Sequence, residues 1–345
     1  VGEDAQGASR RGFKAGWWGL LVLGLSLCVC LLALELILRS CLPLYLTGHR
    51  QACRYDGELG FRLQAGVHDL TTTDHQQEIR TNPLGTTNFQ EDFGDYHELI
   101  FAVGDSFTQG TGLPADASYP AQLDLILNLR DDRYTKRFAV VNLGLAGYGG
   151  RQNLIQLEKQ AGRLGQPRYI LYLGCRNDYE DDLLFEAGHM HGFLVAGNPR
   201  WPWYLKPLGW WAYETEVGKR VKVFWGGLKR ARIFSRAPVP PGERSPSAAE
   251  HEEPIFQALQ NLAERYGARL IVSWSGAPAA DDASYDWLKE YAGRNHIAFA
   301  DWHPAVASVR QAIPHLPLMN PHSGGHYRTW VNQQVARAYA KHIIE

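Results

Sequence analysis

The sequence predicts an α/β protein, a three-layer sandwich around a parallel sheet of about five strands, preceded by one transmembrane helix. Three observations predict it. Short apolar runs rich in branched and aromatic residues recur beyond Glu98, and amphipathic stretches of helical period separate them. Near the N-terminus stands an apolar run, Trp17–Leu38, whose only charge is Glu35. Alternating strands and helices imply βαβ units, and those build parallel sheets.

The chain has 345 residues, longer than one typical domain, with room for one α/β domain and its appendages. A net charge of −1 argues against a nucleic-acid surface, which carries a basic excess. The five cysteines are an odd number and point to no disulfide framework. Cys28, Cys30 and Cys41 lie in or beside the apolar run, so the compartment is not legible from Cys53 and Cys175 alone.

Behind a short tail (1–16), the segment 17–46 reads as the anchor. A helix needs about 20 apolar residues to cross a bilayer, and Trp17–Leu38 supplies them. A cleaved signal peptide has a shorter apolar core, about 7–15 residues, followed by small residues at the cut. Here Leu38-Arg39-Ser40-Cys41 follows, which favours an uncleaved anchor over a cleaved or lipid-modified one. Arg10, Arg11 and Lys14 lie nearer to the run than Arg50 and Arg54, although Arg39 adjoins its far end. The expected orientation is therefore N-terminus in the cytoplasm and the domain outside it, on the periplasmic or extracellular side.

Residues 47–97 mix Gly, Thr, Asn and Asp with little periodicity and read as an irregular lead-in with short strands. The domain proper, 98–345, is expected to place strands at Glu98–Val103, Phe138–Leu143, Arg168–Leu173, Arg269–Trp274 and His296–Ala300. Helices are expected at Tyr119–Leu129, Arg151–Leu164, Glu253–Tyr266, Ser284–Asn295 and Arg328–Ile344. Asp301 would cap a further short helix. This is a flavodoxin-like arrangement.

An insertion at 179–254 interrupts the rhythm. Arg236–Pro254 is rich in Pro, Ser, Gly and Glu and reads as a flexible linker. Ahead of it, Trp201, Trp203, Trp210, Trp211 and Trp225 crowd a segment that also carries Lys219, Arg220, Lys222, Lys229, Arg230 and Arg232. Three readings stay open for it: packing onto the domain, contact with a membrane surface, or stacking on sugars.

Chemistry-bearing residues follow the strand ends. Gly104-Asp105-Ser106 ends the first strand, Leu145-Ala146-Gly147-Tyr148-Gly149-Gly150 the second, and Gly174-Cys175-Arg176-Asn177-Asp178 the third. His326 precedes the last helix. Strand ends of a parallel sheet lie along one edge, so these groups can converge there. Acyl transfer from an ester needs a nucleophile, a base and donors for the oxyanion. Ser106 suits the nucleophile, and the Ser106 and Gly147 backbone N–H groups with the Asn177 amide suit the oxyanion hole. The order Ser, Gly, Asn, His resembles the four sequence blocks of the SGNH/GDSL hydrolase family, over roughly 98–345. Asp56-Gly57-Glu58-Leu59-Gly60-Phe61 and Ile79-Arg80-Thr81-Asn82-Pro83-Leu84-Gly85 resemble the lead-in of anchored members.

The resemblance implies a serine esterase or deacylase acting through an acyl-enzyme, with an O-acetylated polysaccharide as the implied substrate. An O-acyltransferase on the same site and a non-catalytic scaffold that keeps the fold are the alternatives. The family histidine is followed by a small polar residue at +2, Gly at +5 and Ala at +10. From His326 these positions hold Arg328, Val331 and Ala336; from His322 they hold Gly324, Tyr327 and Asn332. His326 is the better match, and His322 remains the alternative. The family Asp, two or three residues before the His, is absent: Gly324 and Ser323 precede His326, and Asn320 and Met319 precede His322. Asp301 is the distant candidate to orient the histidine. Asp105 and Asp178 read as structural turn acids. No spacing of the His-Glu-x-x-His kind points to a metal, and no cofactor is expected.

Overall fold

The computed structural model describes residues 4–42, 52–71, 77–130, 133–186, 189–190, 193–194, 204, 207, 211, 215–221, 224, 248–276, 283–320 and 325–344. The chain divides into two compact units, one formed by Val1–Leu46 with Trp210–Ala237 and the other by the rest.

In the smaller unit, helix α1 spans Asp4–Cys41, and its stretch Trp18–Cys41 is long and apolar enough to cross a membrane. At about 1.5 Å per residue those 24 residues reach past a hydrocarbon core about 30 Å thick. In that stretch the side chains lie open among the described residues, Leu23 and Leu25 included. Glu35, its one acid there, is satisfied within the unit. It accepts hydrogen bonds from the backbone N–H groups of Glu216 (2.9 Å) and Val217 (3.0 Å) and pairs with Arg39 at 2.9 Å. A short helix at 216–221 begins at that contact. Lys219 and Arg220, read as part of a basic face, are both paired with Glu216. The other basic residues of that face and Trp201, Trp203, Trp210 and Trp225 lie outside the described residues.

The larger unit opens with two hairpins, β1 (Cys53–Asp56) with β2 (Gly60–Leu63) and β3 (His68–Thr71) with β4 (Gln77–Arg80). Five parallel strands follow: β5 (Glu98–Gly104), β6 (Phe138–Asn142), β7 (Tyr169–Gly174), β8 (Arg269–Trp274) and β9 (Ala298–Phe299). They lie in the order β9-β8-β7-β5-β6. Chain order therefore reverses between β5 and β7. That reversal leaves a crevice at their carboxyl ends, the usual ligand position of an open α/β sheet.

Successive strand residues point to opposite faces, and here both faces are dry. Phe101, Val103, Val141, Ile170, Tyr172 and Val272 meet α4 (Gly150–Leu164), α6 (Ala248–Tyr266) and α7 (Ala283–Arg294). Ile100, Ala102, Val140, Leu171 and Ile271 meet α3 (Tyr119–Asn128), α8 (His303–Ala312) and α9 (Thr329–Ile344). The three-layer sandwich with about five parallel strands is what the sequence predicts.

Boundaries differ in three places. The last strand is two residues, Ala298–Phe299, because only Ile271 and Val272 of β8 pair with it. The region 179–254 is not all insertion: α5 spans Asp178–Glu186. Nor is Arg236–Pro254 linker to its end, since α6 begins at Ala248 and runs through Pro254. Ile255 and Phe256 are buried on the sheet, and that contact keeps the helix going although Pro254 gives up one N–H; 236–247 lies outside the described residues.

The lead-in docks onto this sheet. Asn88 accepts from the Asn142 N–H (2.8 Å) and donates to the Val140 carbonyl (2.7 Å), covering the open edge of β6. Leu59 and Phe61 are buried, and their carbonyls accept from Gln152 Nε2 (2.7 Å) and Tyr148 Oη (2.5 Å).

Candidate active site

Ser106 opens a four-residue helix, α2 (Ser106–Gln109), at the end of β5. Asp105 caps it, its Oδ1 accepting from the Phe107 N–H at 2.9 Å. The turn demands glycine at 104. Its φ is +152°, and a Cβ there would stand 2.3 Å from Thr108 Oγ1 and 2.8 Å from the Leu173 carbonyl oxygen.

The structure brings His326 to this serine, with Nε2 2.7 Å from Ser106 Oγ. Several backbone contacts hold this residue there. The His326 carbonyl accepts from the Asn320 N–H at 2.8 Å, Met319 and Tyr327 form a bridge, and the Arg328 N–H donates to the Leu318 carbonyl at 2.9 Å. The ring lies 4.9 Å from that of Phe107, and the next residue, Tyr327, is buried and donates to the Ser275 carbonyl at 2.6 Å. His322 lies outside the described residues, as do Ser323 and Gly324.

Gly147 sits in the turn after β6 at φ +84°, a conformation that favours glycine. Gln109 Oε1 accepts from the neighbouring Ala146 N–H at 2.8 Å, and the Tyr148 N–H closes the turn on the Leu145 carbonyl. The N–H groups of Gly147 and Ser106 have no hydrogen-bond partner among the described residues.

Asn177 follows β7, across the crevice from Ser106. Its amide is fixed at both ends. Cys175 Sγ donates to Oδ1 at 2.7 Å, and Nδ2 donates to Asp181 Oδ2 at 2.7 Å. One amide hydrogen of Nδ2 remains for a ligand.

Asp301 goes elsewhere. Oδ1 is 3.1 Å from His303 Nδ1 and accepts from the His303 N–H at 3.2 Å, while Oδ2 takes Tyr285 Oη (2.8 Å) and Lys289 Nζ (3.1 Å). His303 Nε2 is in turn 2.9 Å from the Gly276 carbonyl oxygen. The carboxylate is spent on this network, whose Tyr285, Lys289 and His303 contacts hold it below the usual carboxylate range against the opposing effect of burial. The structure therefore does not bring Asp301 to His326.

Beneath the site runs a set of buried carboxyls. Asp105 Oδ2 accepts from Ser106 Oγ at 3.2 Å, and burial pushes the Asp105 pKa up despite the Phe107 N–H, Cys175, His326 and Ser106. Asp178 Oδ2 accepts from Tyr172 Oη (2.8 Å) and the Cys175 N–H (3.0 Å); burial, then the nearby Asp105, raise its pKa well above the usual value. Asp182 caps α4 through the Gly150 (3.1 Å) and Arg151 (2.9 Å) N–H groups and is pushed by burial to about 7. The Cys175 thiol is likewise raised by burial, then by Asp105 and Asp178.

Two partners escape the sequence reading, Asp181 and Cys175. Asp181 stands four residues after Asn177, a spacing that places two side chains on one helix face, and α5 is the unexpected helix. Among the described residues no cluster of three His, Cys, Asp or Glu is placed to hold a metal ion.

No protein-family model and no curated protein sequence matches the chain. The chain is similar to several solved structures of the GDSL type. A lipolytic protein of the G-D-S-L family from Veillonella parvula is 13% identical over 70% of this chain and 96% of its own, at a TM-score of 0.40. A catalytic mutant of an acetylxylan esterase from Geobacillus stearothermophilus is 15% identical over 72% and 94%, also at 0.40. A GDSL-like lipase from Bacteroides thetaiotaomicron is 11% identical over 72% and 88%, at 0.33. At such distances the chemistry of this site rests on its own geometry.

Proposed function

We propose that the chain is a serine esterase that works through a Ser106 acyl-enzyme. The observation that carries the reading is the 2.7 Å separation of His326 Nε2 and Ser106 Oγ at the carboxyl edge of the sheet. His326 takes the hydroxyl proton as Oγ attacks the ester carbonyl carbon. The carbonyl oxygen gains the negative charge and meets the N–H groups of Ser106 and Gly147 and the spare N–H of Asn177. Collapse breaks the bond to the alkoxy oxygen, which leaves with the proton held by His326. Water repeats the sequence with His326 as base, releasing the acid and restoring Ser106. Transfer to a sugar hydroxyl instead of water would use the same acyl-enzyme.

The bridge at Met319 and Tyr327, the Phe107 ring and the serine itself contribute to the orientation of His326. Trp18–Cys41 supports a single-pass anchor, and the nearer basic residues Arg10, Arg11 and Lys14 favour an orientation with the catalytic domain outside the cytoplasm.

A fluorophosphonate probe tests the chemistry. The wild-type chain is expected to gain an adduct at Ser106, and Ser106→Ala none; the absence of an adduct, or equal labelling of both, refutes the reading. For the anchor, the full chain is expected in the membrane fraction, with a reporter active only outside the cytoplasm giving signal when fused after Glu345. A silent exterior reporter overturns the orientation.

A further inference from the structure

We propose that a cavity beside the oxyanion loop binds one neutral hydroxylated ring, a pyranose unit of the acylated substrate. The cavity, about 240 Å³, lies at the carboxyl ends of β7 and β8, where α6 and α7 begin. Its lining includes Phe256, Trp274, Trp287, Arg176, Asp178 and Glu252. Arg176 and Asp178 flank Asn177 in sequence, so wall and oxyanion donor belong to one loop. The assignment deepens the esterase reading and rests on it for the ring's place in a substrate.

Size narrows the guest first. Pockets for drug-sized ligands run to about 300–1,000 Å³, so this one takes a single ring and not a chain of them. Chemistry narrows it further. Three aromatic side chains offer flat apolar walls, with Phe256 and Trp287 set edge to face at 5.7 Å. Against them stand carboxyl oxygens with spare capacity. Asp178 is 2% exposed, its Oδ2 is taken by Tyr172 and Cys175, and Oδ1 has no partner among the described residues. Glu252 Oε1 has none either. Buried oxygens of this kind are ordinarily satisfied, and a ring hydroxyl reaching into the cavity would satisfy them.

A fatty acyl group fits poorly, because it would seal those oxygens against hydrocarbon. A cationic guest fits poorly too. Arg176 already lines the cavity, and Arg151 lies close enough to favour the charged forms of Glu252 and Asp182. Burial nevertheless pushes Glu252 to about 8, so it is protonated at neutral pH, and raises Asp178 well above the usual range. A protonated carboxyl donates and accepts, which matches a hydroxyl and not an ammonium.

Saturation-transfer NMR on the full chain in detergent tests the assignment without requiring turnover. The probes are the methyl glycosides of glucose, galactose, mannose and N-acetylglucosamine, with hexanoate and choline as counter-probes. At least one glycoside is expected to receive saturation, with affinity weakened about tenfold by Trp287→Ala and by Glu252→Leu. Glu252→Gln, which keeps both hydrogen-bonding capacities and the shape, is expected to retain most of it. The assignment is overturned if no glycoside binds, if Glu252→Leu and Trp287→Ala leave binding unchanged, or if hexanoate or choline binds more tightly than every glycoside. Glycoside binding without a Ser106 adduct would sink the esterase reading alone. An adduct without glycoside binding would sink this assignment alone.

Discussion

Asp181→Asn should slow the chemical step although Asp181 does not face the nucleophile. Asn177 Nδ2 donates to Asp181 Oδ2 at 2.7 Å, a charge-assisted bond within the first turn of α5. It directs one amide hydrogen into the helix and leaves the other for the oxyanion. Hydrogen bonds to charged groups contribute about 1.5–3 kcal/mol. If that amount is lost from the alignment of the amide in the transition state, turnover falls about 10- to 100-fold. Asn177→Ala removes the donor itself and should cost about 10²–10³ in kcat. If Asp181 serves the chemical step through Asn177, the two costs must not add. In an Asn177→Ala background, Asp181→Asn should then change kcat by less than about twofold. Single-turnover hydrolysis of a short-chain aryl ester by the four proteins of the cycle measures this, with KM followed separately. A purely structural role for Asp181 would cost the same in both backgrounds or appear in thermal stability alone, and either result refutes the argument.

Two further outcomes follow from the same geometry. His326→Ala should reduce ester turnover by about 10²–10⁴, the usual range for a general base, while Asp301→Asn should leave the pH-rate profile in place because Asp301 is bound to His303. A profile shifted by Asp301→Asn would show coupling to the base that the observed partners do not provide. Glu252, raised from 4.5 to about 8, binds its proton more tightly folded than unfolded, so its contribution to stability is full below about pH 4.5 and is lost as pH rises through about 8. Melting temperature should fall less between about pH 5 and pH 9 in Glu252→Gln than in the wild type, and an unchanged slope would place the titration elsewhere.

Much of the fold is legible because its strands are buried on both faces. Ile100-Phe101-Ala102-Val103 and Ile170-Leu171-Tyr172-Leu173 are continuous apolar runs, and only a sheet covered on two sides makes such runs useful. Elements held by polar contacts are harder to read. In α5, the sequence Asp178-Tyr179-Glu180-Asp181-Asp182 looks like solvated loop, yet Asp178, Asp181 and Asp182 are all buried. Asp178 and Asp181 answer nearby needs, the Cys175 turn and the Asn177 amide, and Asp182 a distant one, the start of α4. All three are polar needs, so hydrophobic period carries no trace of them. Asp301 shows the opposite case. Its partner His303 is two residues away, and the local bond that a turn favours excludes the long reach to His326.

The crossing of chain order between β5 and β7 joins these observations. It sets Ser106 and Asn177 on adjacent strand ends, with Gly104 pairing with Leu173 across the gap. Close approach there has an electrostatic consequence: burial raises the proton affinity of Asp105 and Asp178, each one residue from its functional neighbour, and Asp105 raises that of Asp178 further. Two carboxyls so placed do not both ionise cheaply. With Asp105 Oδ2 at 3.2 Å and His326 Nε2 at 2.7 Å from the same hydroxyl, the serine proton has two neighbouring acceptors. In the proposed reaction His326, at the shorter separation, is the acceptor.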